Sequence, residues 1–505
     1  MSTTPATDPA PVDPPLAVVV LAAGSGTRMR SKLMKVLHPV CGRSMLGHVL
    51  TAALHAQPQH LVAVVGSGRE QVTPHVLELV PGAVVAVQET QQGTGHAVRV
   101  GLDALRAQLG GDDGSPIDVQ GVVVVMAGDT PLLEGVTLTA LVAEHVAAAG
   151  RAATVLTAEV PDPTGYGRVL RDDTGEVTAI VEQKDATAEQ AAVREINSGI
   201  FAFDAAFLAG ALARITNDNA AGEYYLTDVV ALARADGRSV GAHRTHDVVQ
   251  TEGANDRVQL AALAREMNRR ILERWMRAGV TVTDPATTWV DADVVLEPDA
   301  TLLPGVQLLG ATLVAEDAVV GPDCTLKDVE VGRGATVVRT HGELAVVGEG
   351  ATVGPFSYLR PGTELGAGGK IGGFVETKNA RIGEGAKVPH LSYVGDAEIG
   401  EGTNIGAGTI FANYDGIAKH RTRVGRQVRT ASNNTFVAPV EIGDGAATGA
   451  GTVVRRDVPP GALAVSAGPQ REIPDWTRRR RPGTPMARAA EAASAPAAGD
   501  GAASD

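Results

Sequence analysis

The first half of the chain alternates between apolar runs and stretches with helical spacing. Valine-rich runs lie at 17–23, 61–66, 84–88 and 122–126. Helix-like stretches lie between them, at 44–54 and 95–109. Continuous apolar strands separated by helices are typical of a parallel sheet that is covered on both faces. The pattern continues to about residue 250 and predicts an α/β domain with a mainly parallel, Rossmann-like sheet over 16–254.

A single long helix is predicted after this domain. Residues 255–280 have apolar side chains at helical spacing, which indicates one buried stripe. The stripe is expected to contain Val258, Leu263, Met267, Ile271 and Trp275. We interpret the segment as a helical linker.

Pairs of an aliphatic residue and glycine recur after residue 285. They lie at 320–321, 331–332, 347–348, 353–354, 371–372, 382–383, 394–395, 399–400, 405–406, 424–425 and 442–443. Several are six residues apart, which predicts a parallel β-helix over 281–476. The aliphatic residue would fill the core, and glycine would fit a corner where a Cβ would clash. A glycine-rich linker is the alternative, and the regular spacing over more than 100 residues argues against it.

The solenoid pattern is interrupted once, and the chain ends are of low complexity. No aliphatic-glycine pair occurs within 409–422, so this segment is expected to leave the β-helix as a functional loop. Residues 1–15 and 477–505 are rich in Pro, Ala, Ser and Thr and are predicted to be disordered tails.

Composition excludes several classes of protein. The net charge is −14, from 44 Lys plus Arg against 58 Asp plus Glu, which argues against nucleic-acid binding. The basic run at 478–481 is interpreted as solvated charge. Cys41 and Cys324 are too few and too distant for a disulfide framework or a metal cluster. No apolar run has membrane-spanning length, and no secretory signal begins the sequence, so we expect a cytoplasmic protein. The 60 glycines and 3% aromatic residues fit a β-helix.

A glycine-containing turn follows the first strand directly. The segment 21–37 reads LAAGSGTRMRSKLMKVL, and backbone N–H groups around Gly24 and Gly26 could bind phosphates. Arg28 and Lys35 add positive charge. The turn lacks the G-K-[ST] ending of a P-loop and the third glycine of a dinucleotide motif, so the turn alone is a weak signal.

Polar motifs in the same half occur in a definite order. Asp129 ends the fourth strand within GDTP, at the sheet edge where α/β proteins bind ligands. The other motifs are Gln88, Gly93-Thr94-Gly95, Gly165-Tyr166-Gly167-Arg168, Glu182, Asn197-Ser198-Gly199 and Glu252-Gly253-Ala254-Asn255. This set resembles sugar-1-phosphate nucleotidyltransferases. Together with the β-helix, the chain resembles, over about 16–476, the bacterial bifunctional N-acetylglucosamine-1-phosphate uridyltransferase/glucosamine-1-phosphate acetyltransferases.

The resemblance implies a role for each N-terminal motif. It implies contacts to UTP and the UDP-sugar from Leu21, Ala22, Ala23, Gly24, Lys35, Gln88, Gly93, Thr94, Gly167, Glu182, Asn197 and Asn255. Arg28 and Lys35 would be catalytic residues facing the triphosphate, and Asp129 with Asn255 would bind Mg²⁺. One departure is Ala127, where relatives carry Tyr or Ser, and it implies a less polar sugar pocket.

The resemblance also implies a left-handed β-helix of hexapeptide repeats with an acetyltransferase site. His390 would be the general base, and Arg360, Lys378, Tyr393, Asn404 and Lys419 would bind glucosamine-1-phosphate. Contacts to acetyl-CoA are implied for Ala407, Asn413, Tyr414, Ser432 and Ala450. Neither cysteine lies near these motifs, so direct acetyl transfer without an acetyl-enzyme is expected. Ala467-Gly468 stands where some relatives place an arginine that binds CoA, so Arg471 or 478–481 could substitute.

The predicted function is therefore synthesis of UDP-N-acetylglucosamine for cell-wall precursors. The expected co-substrates are acetyl-CoA and UTP, with Mg²⁺ as cofactor, and the resemblance implies a homotrimer. One alternative is a nucleotidyltransferase whose β-helix is only structural or regulatory. Another is a non-catalytic regulatory subunit, against which Lys35, Asp129 and Asn255 argue because all three are present.

Overall fold

The structure is a computed structural model that describes residues 15–110, 121–466 and 468–494. The chain divides into two compact units, one ending at Pro361 and one beginning at Gly362. The predicted boundaries at 254 and 281 lie inside the first unit, which contains the α/β domain, the linker helix and the first β-helical coils.

The α/β domain and the linker contain eleven strands and eight α-helices within the described residues. The strands are β1 (Ala17–Ala22), β2 (Pro39–Val40), β3 (Arg43–Ser44), β4 (His60–Val65), β5 (Val84–Val87), β6 (Val122–Ala127), β7 (Ala153–Glu159), β8 (Gly167–Arg171), β9 (Val177–Val181), β10 (Glu195–Asp204) and β11 (Val240–Arg244). The helices are α1 (Met45–His55), α2 (Arg69–Leu79), α3 (Thr94–Gln108), α4 (Gly135–Ala147), α5 (Ala188–Ala191), α6 (Ala205–Leu212), α7 (Asp228–Ala235) and α8 (Arg257–Arg277).

The central sheet has the order β11-β7-β10-β6-β1-β4-β5. β1 lies between β4 and β6 and is parallel to both, while β10 is antiparallel to β6 and β7. Alternate side chains of β1 enter two different cores, with Val19 on one face and Val20 on the other. The predicted mainly parallel sheet, covered on both faces, is therefore confirmed. Its carboxyl edge carries the loops after β1 and β6.

The helix α8 joins this domain to the β-helix. The Asp256 side chain caps its first turn by accepting hydrogen bonds from two backbone N–H groups. Leu263 and Ile271 are buried as expected, but Val258 is 80% exposed and does not belong to the buried stripe. The five-residue step from Val258 to Leu263 rotates the side chain well away from the stripe, because a helix advances 3.6 residues per turn.

The first unit is continuous across the predicted domain boundary because polar contacts fix the linker to the first coil. The Asn268 side chain donates to Thr288 O and accepts from Val290 N, both at 2.9 Å. The Ala292 N–H donates to Cys41 O at 2.9 Å. Arg43 in β3 forms an ion pair with Asp293. These contacts connect the α/β domain and α8 with the first β-helical residues.

Twelve short strands continue the first unit. They are β12 (Thr281–Val282), β13 (Trp289–Val290), β14 (Val295–Leu296), β15 (Thr301–Leu302), β16 (Gln307–Leu309), β17 (Leu313–Val314), β18 (Val319–Val320), β19 (Thr325–Val331), β20 (Thr336–Val337), β21 (Thr340–Val347), β22 (Thr352–Val353) and β23 (Ser357–Leu359). Their pairing is parallel, and Thr301 pairs with Val319, 18 residues later. One coil therefore holds three six-residue repeats.

The second unit repeats the same parallel pattern. Its strands are β24 (Thr363–Leu365), β25 (Lys370–Gly373), β26 (Glu376–Ile382), β27 (Lys387–His390), β28 (Tyr393–Ile399), β29 (Ile410–Ala412), β30 (Thr422–Val424), β31 (Thr435–Val437), β32 (Val440–Ile442), β33 (Ala447–Thr448), β34 (Val453–Val454) and β35 (Leu463–Ala464). Lys370 pairs with Lys387, 17 residues later, whereas Ile410 pairs with Thr435, 25 residues later. The longer step contains the predicted loop, and the β-helical fold class is confirmed.

The glycines of the aliphatic-glycine pairs are required by close approach of the next coil. A Cβ on Gly366 would lie 2.7 Å from the Glu384 backbone nitrogen, and one on Gly400 would lie 2.6 Å from that of Arg426. Real Cβ atoms do not approach backbone so closely. The corner role expected from the sequence is therefore correct at these positions.

The C-terminal segment differs from the sequence expectation. Residues 477–505 were expected to be disordered, yet the structure contains α9 (Trp476–Arg480) and α10 (Pro485–Ala493). Thr484 caps α10 by accepting from the Ala487 N–H, and Pro485 occupies the first turn. An alanine-rich segment with this start favours a helix, because alanine has the highest helix propensity. Residues 1–14 and 495–505, also expected to be disordered, lie outside the described residues.

No helix in the described part of the chain combines the length and apolarity that crossing a membrane requires.

Candidate active sites

Three predicted site residues from distant parts of the sequence converge at the carboxyl edge of the α/β sheet. The Lys35 Nζ atom lies 2.5 Å from Asp129 Oδ2 and 3.0 Å from Asn255 Oδ1. Asp129 follows β6, Lys35 follows the turn after β1, and Asn255 precedes α8. The Lys35 and Asp129 side chains are 14% and 23% exposed, so the cluster is partly shielded but reachable.

The turn after β1 is built around Lys35. Gly26 has a φ of 60°, and a Cβ there would lie 2.4 Å from the Lys35 Cβ, so only glycine allows the lysine stem to pass. Arg28 is exposed in the turn. Arg257 donates to Met29 O at 3.2 Å and so ties the turn to α8. Sequence reasoning missed this contact because 228 residues separate the partners.

Three residues predicted to contact UTP, Gln88, Gly93 and Thr94, lie near the same edge. Gln88 is buried, and its amide donates to Gly93 O at 3.2 Å. Gly93 has a φ of 104°, and a Cβ there would lie 2.6 Å from Tyr224 O. The Thr94 hydroxyl accepts from the Leu226 N–H at 3.1 Å. The start of α3 is therefore held against the chain before α7.

Residues of the β1 end continue this surface. Gln91 donates to Ala23 O at 2.5 Å. Leu21 is half-buried and Ala22 is buried, while Gly24 is exposed. The loop after β5 is thereby fixed to the end of β1, which gives one continuous surface along the sheet edge.

Three other residues predicted to contact UTP or the UDP-sugar lie on β8, on β10 and directly after β9, and they are Gly167, Asn197 and Glu182. Asn197 of β10 pairs with Gly167 of β8. A Cβ on Gly167 would lie 3.4 Å from Glu182 Oε1, so the carboxylate borders the glycine. The Thr227 hydroxyl is 3.4 Å from the same oxygen. Burial raises the pKa of Glu182 above its usual value, with Thr227 opposing the shift.

Arg168 supports this strand group and was not predicted as a functional residue. It is 2% exposed and donates to Gln183 Oε1 at 2.7 Å and to Ala191 O at 3.3 Å. The Gly165 N–H donates to the same Gln183 oxygen at 3.1 Å. Arg168 is thus linked to the turn at 165–167 through Gln183. A buried arginine could not be inferred from the sequence, because arginines are usually exposed.

The predicted metal position can be tested on the geometry of Lys35. No group of three or more His, Cys, Asp or Glu residues with metal-binding geometry occurs in the described residues. An ammonium nevertheless lies within hydrogen-bond distance of both Asp129 and Asn255 oxygens. A carboxylate and an amide oxygen that already face one cation fit Mg²⁺, which takes few protein ligands besides water and phosphate.

In the second unit, the predicted acetyl-transfer residues form one line along the β-helix. The Gly408 N–H donates to His390 O, the Asn433 N–H to Ala407 O and the Gly451 N–H to Ser432 O. These bonds stack the predicted residues at the same point of successive coils. The line contains His390, Ala407, Ser432 and Ala450. His390 is exposed, so its ring is accessible in the single chain.

A hydrogen-bonded cluster lies beside this line. The Asn413 side chain is 7% exposed and donates to Asp396 Oδ2 at 2.5 Å and to Tyr393 Oη at 3.4 Å. Asn379 donates to the other Asp396 oxygen at 2.8 Å. Asp396 was missed from the sequence, although it follows Gly395 directly within an aliphatic-glycine repeat.

For the remaining residues predicted in the acetyl-transfer site, the structure gives backbone positions but no contacts between their side chains within one site. Lys378 pairs in register with Gly395, and Asn404 forms a bridge with Lys387. Tyr414 and Lys419 face each other in the loop that leaves the β-helix. Arg360 belongs to the first unit, so the expected phosphate clamp between Arg360 and Lys378 stays a prediction.

The two cysteines are free and buried. Burial, with Asp291 nearby, raises the pKa of Cys41 to about 12. Burial also raises the pKa of Cys324. Thiols held protonated in this way are poor nucleophiles.

Comparisons with known proteins cover both halves of the chain. A family model described as nucleotidyl transferase matches residues 17–291. A protein of Kineococcus radiotolerans named bifunctional protein GlmU is 59% identical over 491 residues, which are 97% of this chain and 98% of that protein. Proteins of the same name from Rhodococcus opacus and Mycobacterium sp. KMS are 60% and 57% identical, with at least 94% of each chain covered.

Proposed function

The chain belongs to the family of bifunctional GlmU proteins, and on that premise we propose how its two active sites divide the synthesis of UDP-N-acetylglucosamine. The β-helix transfers an acetyl group from acetyl-CoA to glucosamine-1-phosphate. The α/β domain then couples N-acetylglucosamine-1-phosphate to UTP and releases pyrophosphate. The convergence of Lys35, Asp129 and Asn255 is the observation that carries the proposal most directly.

In uridylyl transfer, a phosphate oxygen of the sugar phosphate attacks the α-phosphorus of UTP, and the bond to the pyrophosphate oxygen breaks. No covalent enzyme intermediate is needed, so the protein acts by positioning and by charge. Arg28 and Lys35 neutralise the phosphates. Gln88, Gly93 and Thr94 hold the uracil.

The sugar and the metal occupy the neighbouring groups of residues. Gly167, Glu182 and Asn197 bind the sugar and ribose hydroxyls. Asp129 and Asn255 would hold Mg²⁺, which would supply positive charge to the phosphates. Lys35 is then free to contact the triphosphate.

In acetyl transfer, the amine nitrogen forms a bond to the thioester carbonyl carbon, and the carbon–sulfur bond breaks to release CoA. An ammonium has no lone pair, so a base must remove a proton. The exposed His390 imidazole takes it, because an imidazole ring nitrogen with a lone pair can act as a general base. Backbone N–H groups near Ala407 stabilise the oxyanion.

The substrate contacts proposed for this second site are those that the family resemblance implies. Ala407, Asn413, Tyr414, Ser432 and Ala450 bind acetyl-CoA. The sugar phosphate is bound by Arg360, Lys378, Tyr393, Asn404 and Lys419. Transfer is direct, which the buried and protonated cysteines support.

We place the protein in the cytoplasm, where both co-substrates are metabolites. The active assembly is a homotrimer. Phe374 and Leu391 are 63% and 61% exposed. They lie at equivalent corners of adjacent coils, because the Leu391 N–H donates to Gly373 O. Large exposed apolar side chains in a row indicate an interface. The row directly adjoins His390, so the acetyl-transfer site lies where chains meet.

A single-activity nucleotidyltransferase with a structural β-helix is less favoured. The relatives are named bifunctional and match this chain over 94% or more of its length. The direct test mixes purified protein with glucosamine-1-phosphate, acetyl-CoA, UTP and Mg²⁺ and identifies products by mass spectrometry. UDP-N-acetylglucosamine and free CoA are expected together. Formation of CoA alone, or of no UDP-sugar from N-acetylglucosamine-1-phosphate, would contradict the proposal.

A further inference from the structure

The loop between β29 and β30 contains a hydrogen-bonded pair of side chains, Asp415 and His420, to which no role has been assigned so far. Residues 413–420 form a small hairpin, in which the His420 N–H donates to Asn413 O at 2.8 Å and Tyr414 bridges Lys419 in antiparallel fashion. Residues opposite each other in an antiparallel pair project to the same face. Tyr414 and Lys419 therefore share one face of the hairpin.

Asp415 makes the side-chain contacts that close this hairpin. Its Oδ1 atom accepts from the N–H groups of Ile417 and Ala418 at 2.8 and 2.7 Å, and its Oδ2 atom lies 2.6 Å from His420 Nε2. Both carboxylate oxygens are thus engaged within the loop. These contacts, from the Ala418 N–H first and then from His420, hold the pKa of Asp415 well below its usual value.

At the loop tip, the large apolar side chains are mostly exposed to solvent in the described part of the chain. Ile417 is 94% exposed and Tyr414 is 60% exposed. The base of the loop is different, because Asn413 is buried and bonded to Asp396. The conformation beyond Asn413 therefore depends on hydrogen bonds, and the Asp415 side chain adds to the backbone bonds that join the two sides of the turn.

We propose that Asp415 and His420 are positioning residues for acetyl transfer, which hold Tyr414 and Lys419 in register so that acetyl-CoA and the sugar phosphate are bound together. The inference rests on the proposed function of the β-helix. Neither residue contacts a substrate. Loss of the pair weakens binding of both substrates at once, because one hairpin carries a contact for each.

The test compares Asp415→Ala, His420→Phe and His420→Gln in steady-state acetyl transfer by the full-length protein. Asp415→Ala is expected to raise KM about 5- to 20-fold for both glucosamine-1-phosphate and acetyl-CoA, with kcat within threefold of wild type. His420→Phe should have a smaller effect of the same kind. His420→Gln retains a donor that reaches Asp415 and should remain within about twofold of wild type.

Glu398→Gln is the matched control, because it removes an exposed ion pair with Arg421 and Arg423 just outside the hairpin. It should leave both KM values unchanged. Trypsin should cut after Lys419 faster in Asp415→Ala than in wild type or Glu398→Gln. Unchanged KM values in Asp415→Ala, or a fall in kcat alone, would overturn the inference while leaving the acetyltransferase function intact. A wild-type protein without acetyl transfer would instead overturn the proposed function.

Discussion

The Lys35 ammonium lies 2.5 Å from the Asp129 carboxylate, although 94 residues separate them in the sequence. The contact joins the turn after β1 to the end of β6, which are neighbouring parallel strands. Asn255, from the start of the linker, completes the same cluster. In the proposed reaction, metal binding at Asp129 and Asn255 and phosphate binding by Lys35 are therefore coupled at one position.

Removing the Lys35 charge should selectively impair uridylyl transfer. Lys35→Met is expected to lower kcat for this half-reaction about 10²- to 10³-fold, the usual effect of losing one group that stabilises transition-state charge. Steady-state kinetics with N-acetylglucosamine-1-phosphate and UTP measure this. Lys32→Met removes an exposed lysine of the same segment and should be nearly neutral. Equal losses in both variants would mean that general positive charge, not Lys35, is important.

Glu182 should determine the affinity for the sugar phosphate. Glu182→Gln conserves size but replaces a charged acceptor, and a hydrogen bond to a charged group contributes about 1.5–3 kcal/mol. The KM for N-acetylglucosamine-1-phosphate should rise about 10-fold or more, while the KM for UTP changes little. Glu189→Gln, on the exposed face of α5, is the control. A selective rise in the KM for UTP would place Glu182 elsewhere in the site.

Two buried histidines should make the fold sensitive to mild acid. His48 donates to Val40 O, His145 contacts the Thr154 hydroxyl, and burial lowers the pKa of each from 6.5 to about 4. The unfolded chain binds more protons between these values, so the free energy of unfolding falls as the pH drops from 6.5 to 4 and is fully retained above 6.5. A shift of this size corresponds to roughly 3 kcal/mol per residue.

Urea unfolding at pH 7 and pH 5 measures this dependence. His145→Gln should reduce the difference between the two midpoints, because glutamine does not titrate. His246→Gln, which changes an exposed histidine in a loop, should not. A pH dependence unaltered by His145→Gln would exclude this histidine as its source.

The exposed row at Phe374 and Leu391 should be needed for assembly. Leu391→Asp places a charge in the proposed interface and should convert a trimer into smaller species, as measured by light scattering. Acetyl transfer should fall with the trimer, whereas uridylyl transfer should largely persist because its site lies within the first unit. Full acetyl transfer by a stable monomer would contradict the assembly proposal.

The sequence predicts the two architectures because each leaves a recurring pattern of apolar residues along the chain. Val19 and Val20 mark a strand buried on both faces, and Gly366 and Gly400 mark corners where coils touch. Individual contacts between segments that are distant in sequence leave no such pattern and could not be predicted. The anchoring of Met29 by Arg257 and the ion pair of Arg43 with Asp293, which extends the first unit beyond the linker, are visible only in the structure.

Several site residues that the family resemblance implied lie close together in the structure, although their separate motifs in the sequence do not indicate this. Lys35, Asp129 and Asn255 form one cluster, and His390, Ala407 and Ser432 form one line. The supporting roles of two residues were missed, although Arg168 ends the motif Gly165-Tyr166-Gly167-Arg168. Arg168 and Asp396 act through neighbours, and neither lies in a motif whose composition alone indicates burial or bridging.

The central claim, that one chain holds two independent active sites, is tested most directly by a reciprocal pair of variants. His390→Ala and Asp129→Ala are each assayed in both half-reactions, with trimer content and thermal stability checked. His390→Ala should lose about 10²- to 10⁴-fold in acetyltransferase kcat, the usual contribution of a positioned base, and partly recover at higher pH. It should retain uridylyl transfer, and Asp129→Ala should show the opposite pattern. Loss of both activities in either folded, trimeric variant, or acetylation by His390→Ala within about threefold of wild type, would contradict the account.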